Sequence, residues 1–145
     1  MIIRETLSYD DVLLVPKYSN IISRSEVDIA TSLSPDMIYE FPVISAPMDT
    51  VTEESMGIAM AQAGGLGVVH RYNSIEEQRV MCWNILDSGY GTPTAAVGVT
   101  GDYLERASEL VSIGVQILCL DVAHGHHALM KDAIGKIKSE HDVHI

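Results

Sequence analysis

Aromatic side chains, cysteine and positive charge are all scarce in this 145-residue chain. Only 6% of the residues are aromatic, and 9 Lys and Arg stand against 20 Asp and Glu, which leaves a formal net charge of -11. So acidic a chain is not expected to bind nucleic acid non-specifically or to lie on an anionic membrane surface. No apolar run approaches the roughly 20 residues that span a bilayer, so we expect no membrane segment.

Cysteine occurs only at Cys82 and Cys119, and their spacing matches no metal-binding motif. So small a number favours a reduced, intracellular setting, and we expect the cytoplasm. Cys82 is predicted to lie on a helix, and Cys119 within a buried strand. Because a nucleophilic thiolate must be accessible and activated, neither is a convincing catalytic residue.

What the chain does contain is a strand–helix unit that recurs four times after residue 41. The predicted strands are 43–46, 67–70, 95–99 and 116–121, and the predicted helices are 53–63, 74–87, 102–113 and 128–139. Such an order predicts parallel strands with right-handed crossovers, and residues 142–145 look like the start of a fifth strand. Four units are half of an eight-unit barrel, and an open doubly wound sheet is the alternative. The Rossmann fingerprint is absent, since no Gly-x-Gly-x-x-Gly follows the first strand.

The first strand, 43–46, is apolar and is bracketed by Pro42 and Pro47, which suits the ends of a strand. Its composition predicts burial on both faces. It leads to Ser45 and Met48 at the carboxyl edge of the sheet, where α/β proteins place their chemistry.

Two capping boxes predict helix starts, one formed by Thr50 and Glu53 and the other by Ser74 and Glu77. In each, a hydroxyl can accept from a free backbone N–H while the carboxylate reaches back. In the third helix the apolar spacing predicts that Arg106 faces outward.

Residues 1–40 are predicted to be a packing arm that covers one end of the domain, and residues 41–145 carry the four units. Within the arm, 10–16 look like a short extended piece, and 23–29 alternate as a half-buried strand does. Residues 34–36 predict a turn.

Polar residues follow the fourth strand. Asp121 ends an otherwise apolar run, where a carboxylate is costly unless it reaches solvent or a ligand. Ribose hydroxyls are a natural partner for it, and capping of the next helix is the alternative. His124, His126 and His127 lack zincin spacing and a nearby carboxylate, so we expect no metal site there.

Six segments, taken in order, resemble the IMP dehydrogenase and GMP reductase family across essentially the whole chain: residues 7–14, 45–53, 64–70, 74–78, 96–102 and 120–125. The resemblance implies a (β/α)₈ TIM barrel, of which this chain supplies the first four units, and a homo-tetramer. It also implies oxidation of IMP to XMP with NAD, by way of a cysteine that attacks the purine C2, and a K⁺ site. At the matching positions, the resemblance implies that Ser45 and Met48 contact the nucleotide. It implies that five residues lie at the cofactor: Asp121, Ala123, His124, Thr100 and His70.

The family's catalytic cysteine loop, its phosphate-binding glycines and most of its cation site belong to the second half of the barrel. A Bateman regulatory domain often follows the second helix in the family, but here residues 86–93 lead directly to the third strand. We therefore expect no catalytic residue in this chain and a need for the C-terminal half, in the same or a separate chain. A GMP reductase, which converts GMP to IMP with NADPH, and a non-catalytic half-barrel that binds nucleotide are the alternatives.

Overall fold

A parallel sheet forms the centre of the chain in the computed structural model, which describes residues 4–145. Its strands, in spatial order, are β3 (Ile44–Ser45), β4 (Leu66–Val69), β5 (Thr94–Val97) and β6 (Ile117–Leu120). The helices are α1 (Glu54–Gln62), α2 (Ile75–Asp87), α3 (Tyr103–Ser112) and α4 (Ala128–Glu140). A hairpin of β1 (Thr31–Ser34) and β2 (Met37–Tyr39) precedes them, with the predicted turn between its strands.

The predicted order of four strand–helix units is confirmed. Each strand pairs in parallel with the next one along the chain, with Val69 opposite Ala95 and Val97 opposite Leu120. The fifth strand has also begun, because His144 forms a parallel bridge with Ile117. Its N–H donates to the Gln116 carbonyl over 2.9 Å, which covers part of the β6 edge.

The core lies between the sheet and the helices. Val69, Ala95, Val97 and Leu118 point from the strands into this layer. Their partners on the helices are Cys82, Ile85, Ala107, Leu110, Ala133 and Ile137. No helix within residues 4–145 combines the length and the apolarity that crossing a membrane requires.

The prediction that the first strand is buried on both faces is wrong for this chain. Val43 is 42% exposed and Ile44 is 55% exposed. The reason is that β3 is an edge strand, which pairs only with β4 among the described residues. An apolar edge of this kind is suited to a further strand.

One capping box is confirmed and the other is wrong. At α2, Ser74 Oγ accepts from the Glu77 N–H over 3.2 Å, and Glu77 Oε2 accepts from the Ser74 N–H over 2.9 Å. At α1 the residue before the helix is Glu53, and its side chain makes no cap hydrogen bond. Thr50 does not cap the helix, because the chain continues through a further turn before α1 begins at Glu54.

The prediction of a half-buried strand at 23–29 is also wrong. A 3₁₀ helix, Arg24–Glu26, lies there, and Glu26 Oε1 accepts from the Ser23 N–H over 3.2 Å. Ser23 and Glu26 are polar residues of this local cap, so they do not record the outer face of a strand. A second 3₁₀ helix, Tyr9–Asp11, takes the first two residues of the extended piece predicted at 10–16, and the backbone is extended at Val12 directly after it.

Residues 4–33 are exposed throughout. Residues 1–3 of the predicted arm lie outside the described part of the chain. The packing role of the arm therefore stays a prediction.

Candidate functional site

The carboxyl ends of β4, β5 and β6 bring three polar loops to one edge of the sheet. The loop after β4 carries His70, Arg71 and Tyr72, the loop after β5 carries Thr100, and Asp121 follows β6 directly. Parallel strands place all their carboxyl ends on the same side, so these loops are neighbours. This edge is the candidate site.

Arg71 and Asp121 form the main polar contact of the site. Arg71 Nε donates to Asp121 Oδ2 over 3.3 Å, and Arg71 Nη2 donates to the Asp121 carbonyl over 3.1 Å. The two side chains are 33% and 26% exposed, so the pair borders solvent. Within residues 4–145, Oδ1 of Asp121 accepts no hydrogen bond.

His70, the first residue after β4, is only 2% exposed. Its Nδ1 accepts from the Tyr72 N–H over 3.1 Å, and its Nε2 lies 3.3 Å from Glu53 Oε1. Since Nδ1 accepts, Nε2 carries the proton and donates to the carboxylate. Both ring nitrogens are therefore engaged within the protein.

Tyr72 joins the histidine to the arginine. Its ring stacks on His70 with the centroids 6.2 Å apart, and the Arg71 guanidinium lies 5.5 Å from the Tyr72 centroid. A guanidinium at this distance from an aromatic face gains cation–π stabilisation. Neither Arg71 nor Tyr72 was predicted as a site residue from the sequence, although both directly follow the segment 64–70.

Of the two residues that the resemblance assigns to the nucleotide, Ser45 ends β3 and Met48 lies on the turn that follows. Met48 is 49% exposed there. Ser45 instead has its hydroxyl 2.8 Å from the buried Thr52 Oγ1, which also lies 2.7 Å from the Ala46 carbonyl. Ser45 is in register with Gly67, on the same face of the sheet as Val69, and so points toward the helices.

Three residues assigned to the cofactor are exposed on their loops. They are Thr100, after β5, and Ala123 and His124, after β6. The His124 ring lies edge-on to that of His127, 6.3 Å away, and His127 Nδ1 accepts from the Leu129 N–H at the start of α4. No group of three potential metal ligands forms among residues 4–145.

Arg106 was predicted to face outward, and that prediction is wrong. It is only 6% exposed, and its guanidinium donates to Gln78 Oε1 over 2.9 Å and to Asp102 Oδ2 over 2.8 Å. A prediction from helical periodicity places every charged residue on the outer face of the helix. It does not take account of hydrogen-bond partners on other elements. The signal in the sequence was Asp102 itself, four residues before Arg106, where a helical ion pair can form.

Neither cysteine is suited to act as a nucleophile. Burial raises the pKa of the Cys82 thiol to about 12. Burial raises the pKa of Cys119 as well, and the nearby negative charge of Asp121 adds to the effect. Both thiols are free, and both are held in the protonated form at neutral pH.

Parallel strand–helix units with polar side chains at their carboxyl ends define an α/β protein, a class in which ligands commonly bind at that edge of the sheet. Residues 6–145 match the family described as "IMP dehydrogenase / GMP reductase domain", and the chain belongs to that family.

Its relatives include inosine-5'-monophosphate dehydrogenases from archaea, protists and bacteria. The Nitrosopumilus maritimus enzyme is 57% identical over 75 residues, which cover 52% of this chain and 16% of the relative. The Cryptosporidium parvum enzyme is 31% identical over 96% of this chain and 44% of the relative. The Borreliella burgdorferi enzyme is 31% identical over 97% of this chain and 46% of its own length. The chain thus spans less than half the length of these relatives.

Proposed function

We propose that this chain is the N-terminal half of the catalytic barrel of an IMP dehydrogenase, which oxidises IMP to XMP with NAD. Membership of the family and relatives named as inosine-5'-monophosphate dehydrogenases support this proposal. The four parallel strands would form half of a (β/α)₈ barrel, and a C-terminal half in the same or a separate chain would complete it. The cytoplasm as location, a homo-tetramer and a K⁺ site held mainly by the other half belong to the same proposal.

The observation that carries the proposal is the free Oδ1 of Asp121. An oxygen that borders solvent and accepts no bond from residues 4–145 is suited to accept one from a ribose hydroxyl. Arg71 holds the other oxygen, so the carboxylate is oriented before the ligand arrives. This acceptor fits a ribose hydroxyl of NAD. When bound, NAD would be the oxidant.

The other polar residues of the edge have separate parts in the proposal. Thr100, Ala123 and His124 are exposed on the loops after β5 and β6 and would line the cofactor's path. His70, whose ring nitrogens are both engaged, would support Arg71 and Tyr72 beneath the cofactor rather than exchange a proton with it.

The turn after β3 would bind the purine nucleotide. Met48 offers an exposed apolar side chain for a planar base. Ser45, with its hydroxyl beside Thr52, would hold the turn that presents Met48. The cysteine that attacks the purine would come from the C-terminal half, because the pKa values of both thiols here are raised.

The edge of β3 supports the need for that half. Val43 and Ile44 are 42% and 55% exposed, and exposed apolar edge strands pair with other strands or aggregate. Burial of such an edge by the C-terminal half would remove both hazards.

The test is complementation. The chain is purified alone and with the C-terminal half of the Nitrosopumilus maritimus relative, and IMP oxidation with NAD is assayed. We expect no turnover and self-association for the chain alone, and activity once the halves combine. A stable monomer that turns over IMP by itself would contradict the proposal.

Two further outcomes would redirect the proposal. Reduction of GMP with NADPH and no oxidation of IMP would make the complex a reductase. Nucleotide binding without either reaction would leave a half-barrel binding module.

A further inference from the structure

Arg106 is a buried charge whose guanidinium joins three segments of the chain. Nη1 donates to Gln78 Oε1 on α2 over 2.9 Å, and lies 3.4 Å from Asn73 Oδ1. Nη2 donates to the Asn73 carbonyl over 3.0 Å and to Asp102 Oδ2 over 2.8 Å. A buried charge is costly unless it is fully partnered, and here each terminal nitrogen has two acceptors.

Gln78 extends these contacts to the sheet and is fully buried. Its Nε2 donates to the Ala96 carbonyl over 2.8 Å and to the Val69 carbonyl over 3.3 Å. Val69 is the last residue of β4, and Ala96 lies one residue before the end of β5. The Arg106–Gln78 pair therefore connects α3 and α2 to the carboxyl ends of two neighbouring strands.

The loop after β4, residues 70–73, is held at both ends by this pair. Gln78 contacts Val69 just before the loop, and Arg106 contacts Asn73 at its end. Arg71, which contacts Asp121, lies between these two anchors. The place where its guanidinium meets Asp121 thus depends on where Asn73 is held.

We propose that Arg106 is a positioning residue for the cofactor site: by holding Asn73 it fixes the loop that presents Arg71 to Asp121. The inference rests on the proposed function for its effect on NAD, but the contacts themselves do not depend on it.

The fork of the guanidinium is what this arrangement requires. Its donors diverge in one plane and reach acceptors on different segments at once, whereas a lysine ammonium is a point charge on a flexible stem. Arg106→Lys can keep the ion pair with Asp102, but it cannot hold Gln78 and Asn73 together. An effect of charge alone is then separable from an effect of position.

The experiment uses the chain combined with the C-terminal half and compares Arg106→Lys with the matched control Arg79→Met. Arg79 lies on α2 and, among residues 4–145, pairs only with the exposed carboxylates of Glu76 and Glu109. Hydrogen exchange of residues 70–73, the thermal midpoint, and the KM values for NAD and IMP are measured for each variant. Arg106→Met, which removes every hydrogen bond of the guanidinium, is measured beside it.

We expect Arg106→Lys to speed exchange in the loop and to raise the KM for NAD by at least about tenfold, as when a charged hydrogen bond to a ligand is lost. The KM for IMP should stay close to that of the wild type, the thermal midpoint should fall because the buried acceptors on Gln78 and Asn73 lose their donor, and Arg79→Met should change none of the four. Wild-type exchange in both Arg106 variants would overturn the proposal. So would faster exchange with an unchanged KM for NAD, or an equal rise of the KM values for NAD and IMP.

Failure of the proposed function has a different signature. In that case the wild type itself binds no NAD, and the exchange of residues 70–73 in Arg106→Lys still decides whether Arg106 positions the loop.

Discussion

Arg71 reaches past the end of β5 to hold Asp121, so a residue that follows β4 orients one that follows β6. The guanidinium passes Gly98, where an added Cβ would lie 3.6 Å from Arg71 Nη1. Of the Asp121 acceptors, Oδ2 and the backbone carbonyl are used by Arg71. The remaining oxygen is the one that we assign to the ribose.

Removal of Asp121 should therefore affect the cofactor and little else. In the combined halves, we expect Asp121→Ala to raise the KM for NAD or to lower kcat/KM by an amount equivalent to about 1.5–3 kcal/mol, the value of a charged hydrogen bond. The KM for IMP is the internal control. The free energy of unfolding should fall by no more than about 1 kcal/mol, because partly exposed ion pairs contribute little. Cofactor kinetics equal to those of the wild type would refute the assignment.

Cys119 reports on the same carboxylate. The charge of Asp121 disfavours the thiolate and contributes to the raised pKa of Cys119, so Asp121→Asn should lower that pKa. We expect the pH at which the alkylation rate of Cys119 is half-maximal to move downward in this variant, followed by mass spectrometry of the Cys119 peptide. Cys82, with a pKa of about 12, should stay unmodified in both proteins until they are unfolded. A midpoint that does not move would mean that the two groups are not coupled.

The parallel sheet could be predicted from the sequence because it is recorded in local patterns. Apolar runs, glycine stops and the Ser74–Glu77 spacing each mark an element by its own residues, and the order of elements then fixes parallel pairing. The capping box predicted at Thr50 and Glu53 is wrong although the residue spacing fits, because α1 begins only at Glu54. Nothing within four residues distinguishes the two cases.

The polar contacts of the candidate site could be predicted only in part. Asp121 was identified because a carboxylate at the end of an apolar strand is unusual by itself. Arg71 meets it only through tertiary structure, across 50 positions of sequence. Arg106 was assigned to the surface because the contacts that make its burial possible come from α2 and from the loop after β4.

The capping box of α2 gives a prediction with a pH dependence. Two hydrogen bonds from Ser74 lower the pKa of Glu77 below its ordinary value of 4.5 in the folded chain. A group with a lowered folded pKa contributes stability above its unfolded pKa and loses it as pH falls through the folded pKa. Glu77→Gln should therefore be less stable than the wild type at neutral pH, and the difference should shrink as pH falls below about 4.5.

The hydroxyl of the same capping box is tested by Ser74→Ala, with a serine outside the box, Ser112, as the control. Ser74→Ala should cost about 1 kcal/mol in the free energy of unfolding, as for other N-cap hydroxyls. Ser112→Ala removes an exposed hydroxyl that donates only to the carbonyl of Glu109 in the last turn of α3, and should cost less. A difference between wild type and Glu77→Gln that is independent of pH would contradict the role given to the carboxylate.

Two glycine-to-alanine substitutions should change the free energy of unfolding in opposite directions. A Cβ at Gly67, on β4, would lie 2.9 Å from the Cα of Gly57 on α1. That neighbour is backbone and cannot rotate away, so α1 must move off the sheet, and we expect Gly67→Ala to cost about 1–3 kcal/mol, as other overpacking changes do. Gly135 lies in the exposed middle of α4 with nothing within 4 Å of an added Cβ, so Gly135→Ala should stabilise by about 1 kcal/mol through helix propensity. Urea unfolding of the combined halves measures both changes, and a Gly67→Ala protein as stable as the wild type would show that α1 does not pack so closely on β4.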